Sequence, residues 1–157
     1  MANRLGVLLT SVVPHSDIQV ALSYASEQEA YVKTIDYELI RLGVRTFFFP
    51  VDKKKYIGEN VEELLYKVFN DWAIMCVMFI SKDYGRKSYP SFERRIAITR
   101  QIKRDSEYIF PIRFDNTEIE GLANDVYANA NEYSFSEMAL AIRQRLLTLV
   151  NNSNNTD

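Results

Sequence analysis

From Trp72 to Ile80 the chain reads WAIMCVMFI, a strand-length apolar run without a single polar position. A strand wetted on one side alternates apolar and polar residues, so an unbroken run belongs to a strand covered on both faces. Strands of that kind sit in parallel sheets between two layers of helices. The segments on either side follow the same plan.

Ile18 to Ser23 (IQVALS) is a short apolar strand. Ser26 with Glu29 three residues later reads as a capping box. Tyr31, Val32, Ile35, Leu39 and Leu42 then recur at helical spacing until Gly43, a stop signal. Val44 to Phe49 (VRTFFF) has strand composition, and Pro50 ends it. A loop with Lys53, Lys54, Lys55 and Gly58 leads into a helix carrying Val61, Leu64, Leu65, Val68 and Phe69 on one face. After the central run, Ser81 to Ser91 reads as a loop and Phe92 to Lys103 as a helix. Tyr108 to Phe114 (YIFPIRF) is a fourth strand that tolerates Pro111 only near an edge or bulge. Asp125 to Ala128 gives a short fifth strand, and a helix from Phe135 to Val150 closes the domain. Alternation with short loops predicts right-handed crossovers and a mostly parallel sheet of about five strands with helices on both faces. Ligands of such folds bind beyond the carboxyl ends of the strands. Here that rim is Tyr24 to Ser26, Phe49 to Gly58 and Ser81 to Glu93.

The length of 157 residues fits one domain, expected over residues 16–150, with an arm or extra strand at 1–15 and a disordered polar tail at 151–157. Leu5 to Val13 is apolar but too short to span a bilayer and has no cleavage signal, so no membrane association is expected. A net charge of −2 gives no field to recruit nucleic acid. One cysteine, Cys76, and one histidine, His15, leave no Cys/His zinc site. Cys76 reads as a buried thiol of a reducing, cytoplasmic compartment. Ser26 or Ser81 as a nucleophile lacks a base, because His15 lies outside the rim segments. No Gly-rich phosphate loop occurs. The acidic pair and phosphoacceptor aspartate of receiver domains are also missing, with Ser81 where the third strand ends.

Five segments in order resemble one family. Ala21-Leu22-Ser23-Tyr24-Ala25-Ser26 is similar to the end of the first strand in TIR (Toll/interleukin receptor) domains. Leu42 to Phe48 resembles their second strand, and Tyr56-Ile57-Gly58-Glu59-Asn60 the end of the long loop after it. Phe79 to Tyr84, with Lys87, Tyr89 and Glu93-Arg94, resembles the third strand, its loop and the helix that bears a glutamate. Phe110 to Asp115, with Glu118-Ile119 and Gly121-Leu122, resembles the fourth strand and exit loop of bacterial-type members. The chain departs from the family in having Phe49-Pro50 where an acidic pair is common, and Tyr89-Pro90 where tryptophan is usual.

The resemblance implies a flavodoxin-like three-layer α/β sandwich. It also implies cleavage of NAD at its nicotinamide–ribose bond, by hydrolysis or by cyclisation in which an adenine nitrogen captures the ribosyl cation, as in bacterial antiphage immunity. NAD is then a substrate, and no cofactor is needed. Nicotinamide in NAD is already a cationic leaving group, and the transition state resembles an oxocarbenium ion, so one well-placed carboxylate can supply most of the help. Glu93 holds the family's glutamate position. It is expected in the first turn of its helix, where the dipole favours the ionised form, although a first-turn acid that only stabilises the helix fits the pattern too. Ser23, Tyr24 and Ala25 are expected on the opposite wall, with a strand end and a buried ring as the structural alternative. Phe48 is core or pocket wall. Tyr89 stacks on a base, covers the ribose or staples the helix start. Lys53, Lys54 and Lys55 are a solvated loop, or a contact for phosphate or for an acidic patch on another copy in self-association. Arg113 and Asp115 are expected to pair near the rim or at the exit loop, without a catalytic role. The alternative to an enzyme is a scaffold that self-associates without turnover; an enzyme of this kind would have a downstream effector that senses its product.

Overall fold

The computed structural model of the chain describes residues 17–49, 56–122 and 126–155. Five strands form one sheet: β1 (Val20–Ser23), β2 (Thr46–Phe47), β3 (Met75–Ile80), β4 (Ile109–Arg113) and β5 (Ala128–Asn129). Their spatial order is β2-β1-β3-β4-β5, and every pairing is parallel. This is the doubly wound order whose switch point lies between the first and third strands. Helices α1 (Glu29–Arg41), α2 (Val61–Lys67), α3 (Ser88–Lys103) and α4 (Phe135–Asn154) supply the two outer layers.

The central run behaves as its composition predicts. All six residues of β3 are buried. Cys76, Met78 and Ile80 point into one core with Leu64 and Leu65 of α2, Val68 just after it and Ala97 of α3. Met75, Val77 and Phe79 point into the other, with Val32, Ile35 and Leu39 of α1 and Met138, Ile142 and Leu146 of α4. The strand begins later than expected. Trp72 ends a widened π-helical turn, Val68–Trp72, closed by the Ala73 N–H on the Val68 carbonyl at 3.0 Å. Sheet pairing starts only where Ile74 and Met75 donate to the Gln19 carbonyl, at 2.9 and 3.0 Å.

Helix ends show where local chemistry rules. Gly43 takes φ 83° after α1, as a stop residue should, and its N–H donates to the Ile40 carbonyl at 3.0 Å. The Ser26–Glu29 capping box does not form. Ser26–Gln28 makes a 3-10 turn instead, α1 starts at Glu29, and the Ser26 hydroxyl points to Glu27 Oε1 at 3.3 Å. The extra turn moves Glu29 from the third helical position to the first, out of capping reach. A true capping box closes α4, where Ser134 and Glu137 satisfy each other's backbone N–H groups. This helix also runs past Val150 to Asn154, through residues expected to be a disordered tail. No glycine or proline interrupts 151–154, so each added residue extends the ladder by one hydrogen bond.

Pro111 sits in β4 yet breaks no pairing. The Tyr108 carbonyl accepts from Cys76 and the Phe114 N–H donates to Ile80, so even-numbered residues of β4 bond toward β3. The nitrogen of Pro111 therefore faces the other side, where β5 pairs only with Ile112 and Arg113. One step earlier, the outward Ile109 N–H is taken by Gln101 Oε1 at 2.9 Å. The proline occupies an open stretch of edge, which is where a missing donor costs nothing.

Candidate functional site

The switch point between β1 and β3 places Ser23, the last residue of β1, opposite Met78. Ser23 has the same parity as Ala21 and points toward the α2 and α3 layer. Glu93 reaches it from α3, and Ser23 Oγ donates to Glu93 Oε1 at 2.8 Å. Tyr84, from the loop between β3 and α3, brings its hydroxyl within 2.8 Å of the same Ser23 oxygen. Ser23, Tyr84 and Glu93 are all buried.

Glu93 stands where the sequence put it along the rim, but its electrostatics are the reverse of the expectation. The helix begins at Ser88 rather than Phe92, so Glu93 falls in the second turn, and the first turn has no acid. The dipole fades beyond the first turn, and burial takes over. Loss of solvent raises the Glu93 pKa from 4.5 to about 8, with the Ser23 hydrogen bond pulling weakly the other way. The free site therefore holds a protonated carboxyl at neutral pH. A cation placed against it would favour ionisation.

Tyr24 and Phe48 meet each other, and the Glu93 charge also acts on the Tyr24 phenol. Their ring centres lie 5.5 Å apart at a tilt of 39°, and both belong to the α1 and α4 face. Phe48 is core. Burial, then the charges of Glu29, Glu93 and Asp36, hold the Tyr24 phenol well above its ordinary pKa. Ala25 is fully buried in the core on the Glu93 side. The side chain of Tyr89 and residues Lys53, Lys54 and Lys55 lie outside the described residues. Asp115 accepts from the Lys82 and Thr117 N–H groups at 2.9 Å each, while the Arg113 guanidinium bonds the Thr117 carbonyl and lies over the Tyr127 ring.

Residues given no site role from the sequence complete the surroundings. Phe47, not Phe48, faces the Glu93 layer, with Phe49 and Tyr56 at 6.0 and 6.2 Å from its ring centre. Ser81 Oγ donates to Gln28 Oε1 at 2.8 Å, and Lys87 pairs with Glu27 at 3.1 Å, so two side-chain links cross between the segments that follow β1 and β3. Tyr84 lay inside a recognised segment, but no local pattern shows that it meets a serine 61 residues earlier. Beneath the site, Cys76 is a buried free thiol whose pKa is pushed up by burial and by the charge of Glu93. Among the described residues no group of three His, Cys, Asp or Glu side chains could hold a metal ion, and no helix is long and apolar enough to cross a membrane.

Comparison with known proteins accords with this architecture. Over 131 residues the chain is 33% identical to the 3' cyclic ADP-D-ribose synthase AaTIR of Aquimarina amphilecti. The match takes in 83% of this chain and 40% of that protein, so the chain spans less than half the length of its relative. The crystal structure of the TIR domain of the Toll-related receptor TRR-2 from Hydra magnipapillata shares the fold, with a TM-score of 0.59 at 18% identity. That likeness covers 85% of this chain and 95% of the receptor domain. The TIR domain profile itself matches residues 20–147, and this chain belongs to the TIR domain family.

Proposed function

We propose that this chain cleaves NAD at the bond between nicotinamide and ribose, with Glu93 as the catalytic carboxylate. The observation that carries the reading is a buried glutamate, held by Ser23 at the switch point of the sheet, in a chain similar to a cyclic ADP-ribose synthase. The nicotinamide ring enters as a cation, and its charge beside Glu93 drives the proton off the carboxyl. The glycosidic bond breaks, its electron pair leaves with nicotinamide, and the ribosyl cation faces the ionised Glu93. Water capturing that cation, with loss of a proton, gives ADP-ribose. A nucleophile within the same molecule gives a cyclic product. Glu93 favours this charge more in the transition state than in the bound substrate, which is what catalysis requires. The biological role in this reading is a nucleotide signal of bacterial antiphage immunity, sensed by a downstream effector. Copies of the chain associate in part through Lys53, Lys54 and Lys55.

The test is mass-resolved chromatography of NAD incubated with concentrated protein, wild type beside Glu93→Gln. Nicotinamide release by the wild type alone is expected, and the mass of the second product separates ADP-ribose from its cyclic form. If neither protein consumes NAD, the reading falls and a non-catalytic scaffold takes its place.

A further inference from the structure

Ser23 has a single hydroxyl proton, and it is directed to Glu93 Oε1. The 2.8 Å contact between Ser23 Oγ and the Tyr84 phenol must then run from tyrosine to serine. Burial keeps the phenol protonated far above its ordinary range, so it is a permanent donor. The backbone of Tyr84 is fixed on both sides. Its N–H donates to Ser81 Oγ at 3.1 Å, and its carbonyl accepts from Arg94 Nη1 at 3.0 Å. The Arg94 guanidinium also lies 5.6 Å from the centre of the Tyr84 ring.

We propose that Tyr84 is a positioning residue whose phenol locks the Ser23 hydroxyl as a donor to one oxygen of Glu93, leaving the other oxygen for the ribose. The inference rests on the reading of Glu93 as the carboxylate of NAD cleavage. Tyr84 makes its hydrogen bond to Ser23 and not to Glu93, and it acts through Ser23. A serine with a fixed donor direction favours the ionised carboxylate, whereas a free hydroxyl rotates between donor and acceptor roles and favours it less. The other titratable or charged groups around Glu93 are Tyr24 after β1, Cys76 on β3, Arg94 on α3, and Arg100 acting on Cys76. Burial holds Tyr24 and Cys76 protonated well above their ordinary ranges. A midpoint in the neutral to mildly alkaline range therefore reports on Glu93.

Tyr84→Phe keeps the ring and removes only the hydroxyl. The Glu93 carboxyl is followed by carbon NMR of side-chain-labelled protein, which needs no turnover. The expected result is an upward shift of its midpoint on the order of half to one pH unit, within the worth of the one neutral hydrogen bond removed. kcat/KM for NAD should fall about 3- to 10-fold below the midpoint and recover above it, whereas a packing defect would lower it at every pH. Ser23→Ala should raise the midpoint as well, and adding Tyr84→Phe to it should change nothing further, because the link is already cut. An unmoved midpoint in Tyr84→Phe, or additive shifts in the double variant, overturns the proposal. Should Tyr84→Phe fail to fold, fluorotyrosine at position 84 decides: its stronger donor should lower the midpoint, and no movement overturns the proposal equally. Shifted midpoints in a protein that never consumes NAD would uphold the role of Tyr84 on Glu93 and remove the NAD reading.

Discussion

Glu93→Gln should make the protein more stable in alkaline solution while flattening the pH dependence of its stability. Burial raises the Glu93 pKa from 4.5 to about 8 in the folded chain, and the unfolded chain keeps the ordinary value. Below the unfolded pKa both states hold the proton, and the contribution to stability is fully present. Between the two values the unfolded chain gives up a proton that the folded chain retains, so stability declines as pH rises. Above the folded pKa both are ionised and the loss is complete. At about 1.4 kcal/mol per pH unit, the interval from 4.5 to about 8 corresponds to a loss on the order of 5 kcal/mol, with about 3 kcal/mol of it between pH 5 and pH 7. That is a large share of the ~5–15 kcal/mol that holds an ordinary domain together. Glutamine fills nearly the same volume and still offers an oxygen to the Ser23 hydroxyl, but it has no proton to lose. Urea unfolding of both proteins at several pH values from about 5 to about 9 gives the comparison. The wild-type midpoint should fall steadily relative to the variant. Glu27, Asp115 and Glu137, whose pKa values are lowered by hydrogen bonds, titrate below this window and are common to both proteins. Parallel curves across the range would refute the reasoning, because a carboxyl that ionises without cost in the folded state is not desolvated.

Phe48→Ala should cost about 3 to 5 kcal/mol through cavity formation, read by denaturant unfolding, yet leave the midpoint of Glu93 in place, since Phe48 fills the opposite core. Ser134→Ala should remove the capping box of α4 and lower stability by about 1 kcal/mol, with no change in kcat/KM for NAD.

The sheet was legible because its signal is collective. The unbroken Trp72–Ile80 run demanded two covered faces, and β3 delivers its side chains alternately to two separate cores. Element ends were less legible. Trp72 reads as strand by hydropathy, but the strand waits for its partner at Gln19, far away in sequence. Phe47 and Phe48 are chemically alike, and only the pairing register of a two-residue strand decides which one faces Glu93. The position of Glu93 was legible through the family resemblance, whereas its protonation was not. That property depends on burial against Ser23, 70 residues earlier, and on a helix that starts at Ser88 instead of Phe92. Local sequence encodes a turn of helix; it does not encode how much water the finished fold leaves beside it.

The outer side of β4 bears on how copies of this chain can meet. A growing fibril needs an edge that offers a regular row of free donors and acceptors to the next strand. Here Pro111 has no N–H to give, the Ile109 N–H is already held by Gln101, and Ile112 and Arg113 are paired with β5. A neighbouring chain cannot continue the sheet along that stretch by main-chain pairing. Contacts made there must use side chains, whose shapes discriminate between partners, so this edge resists indiscriminate polymerisation.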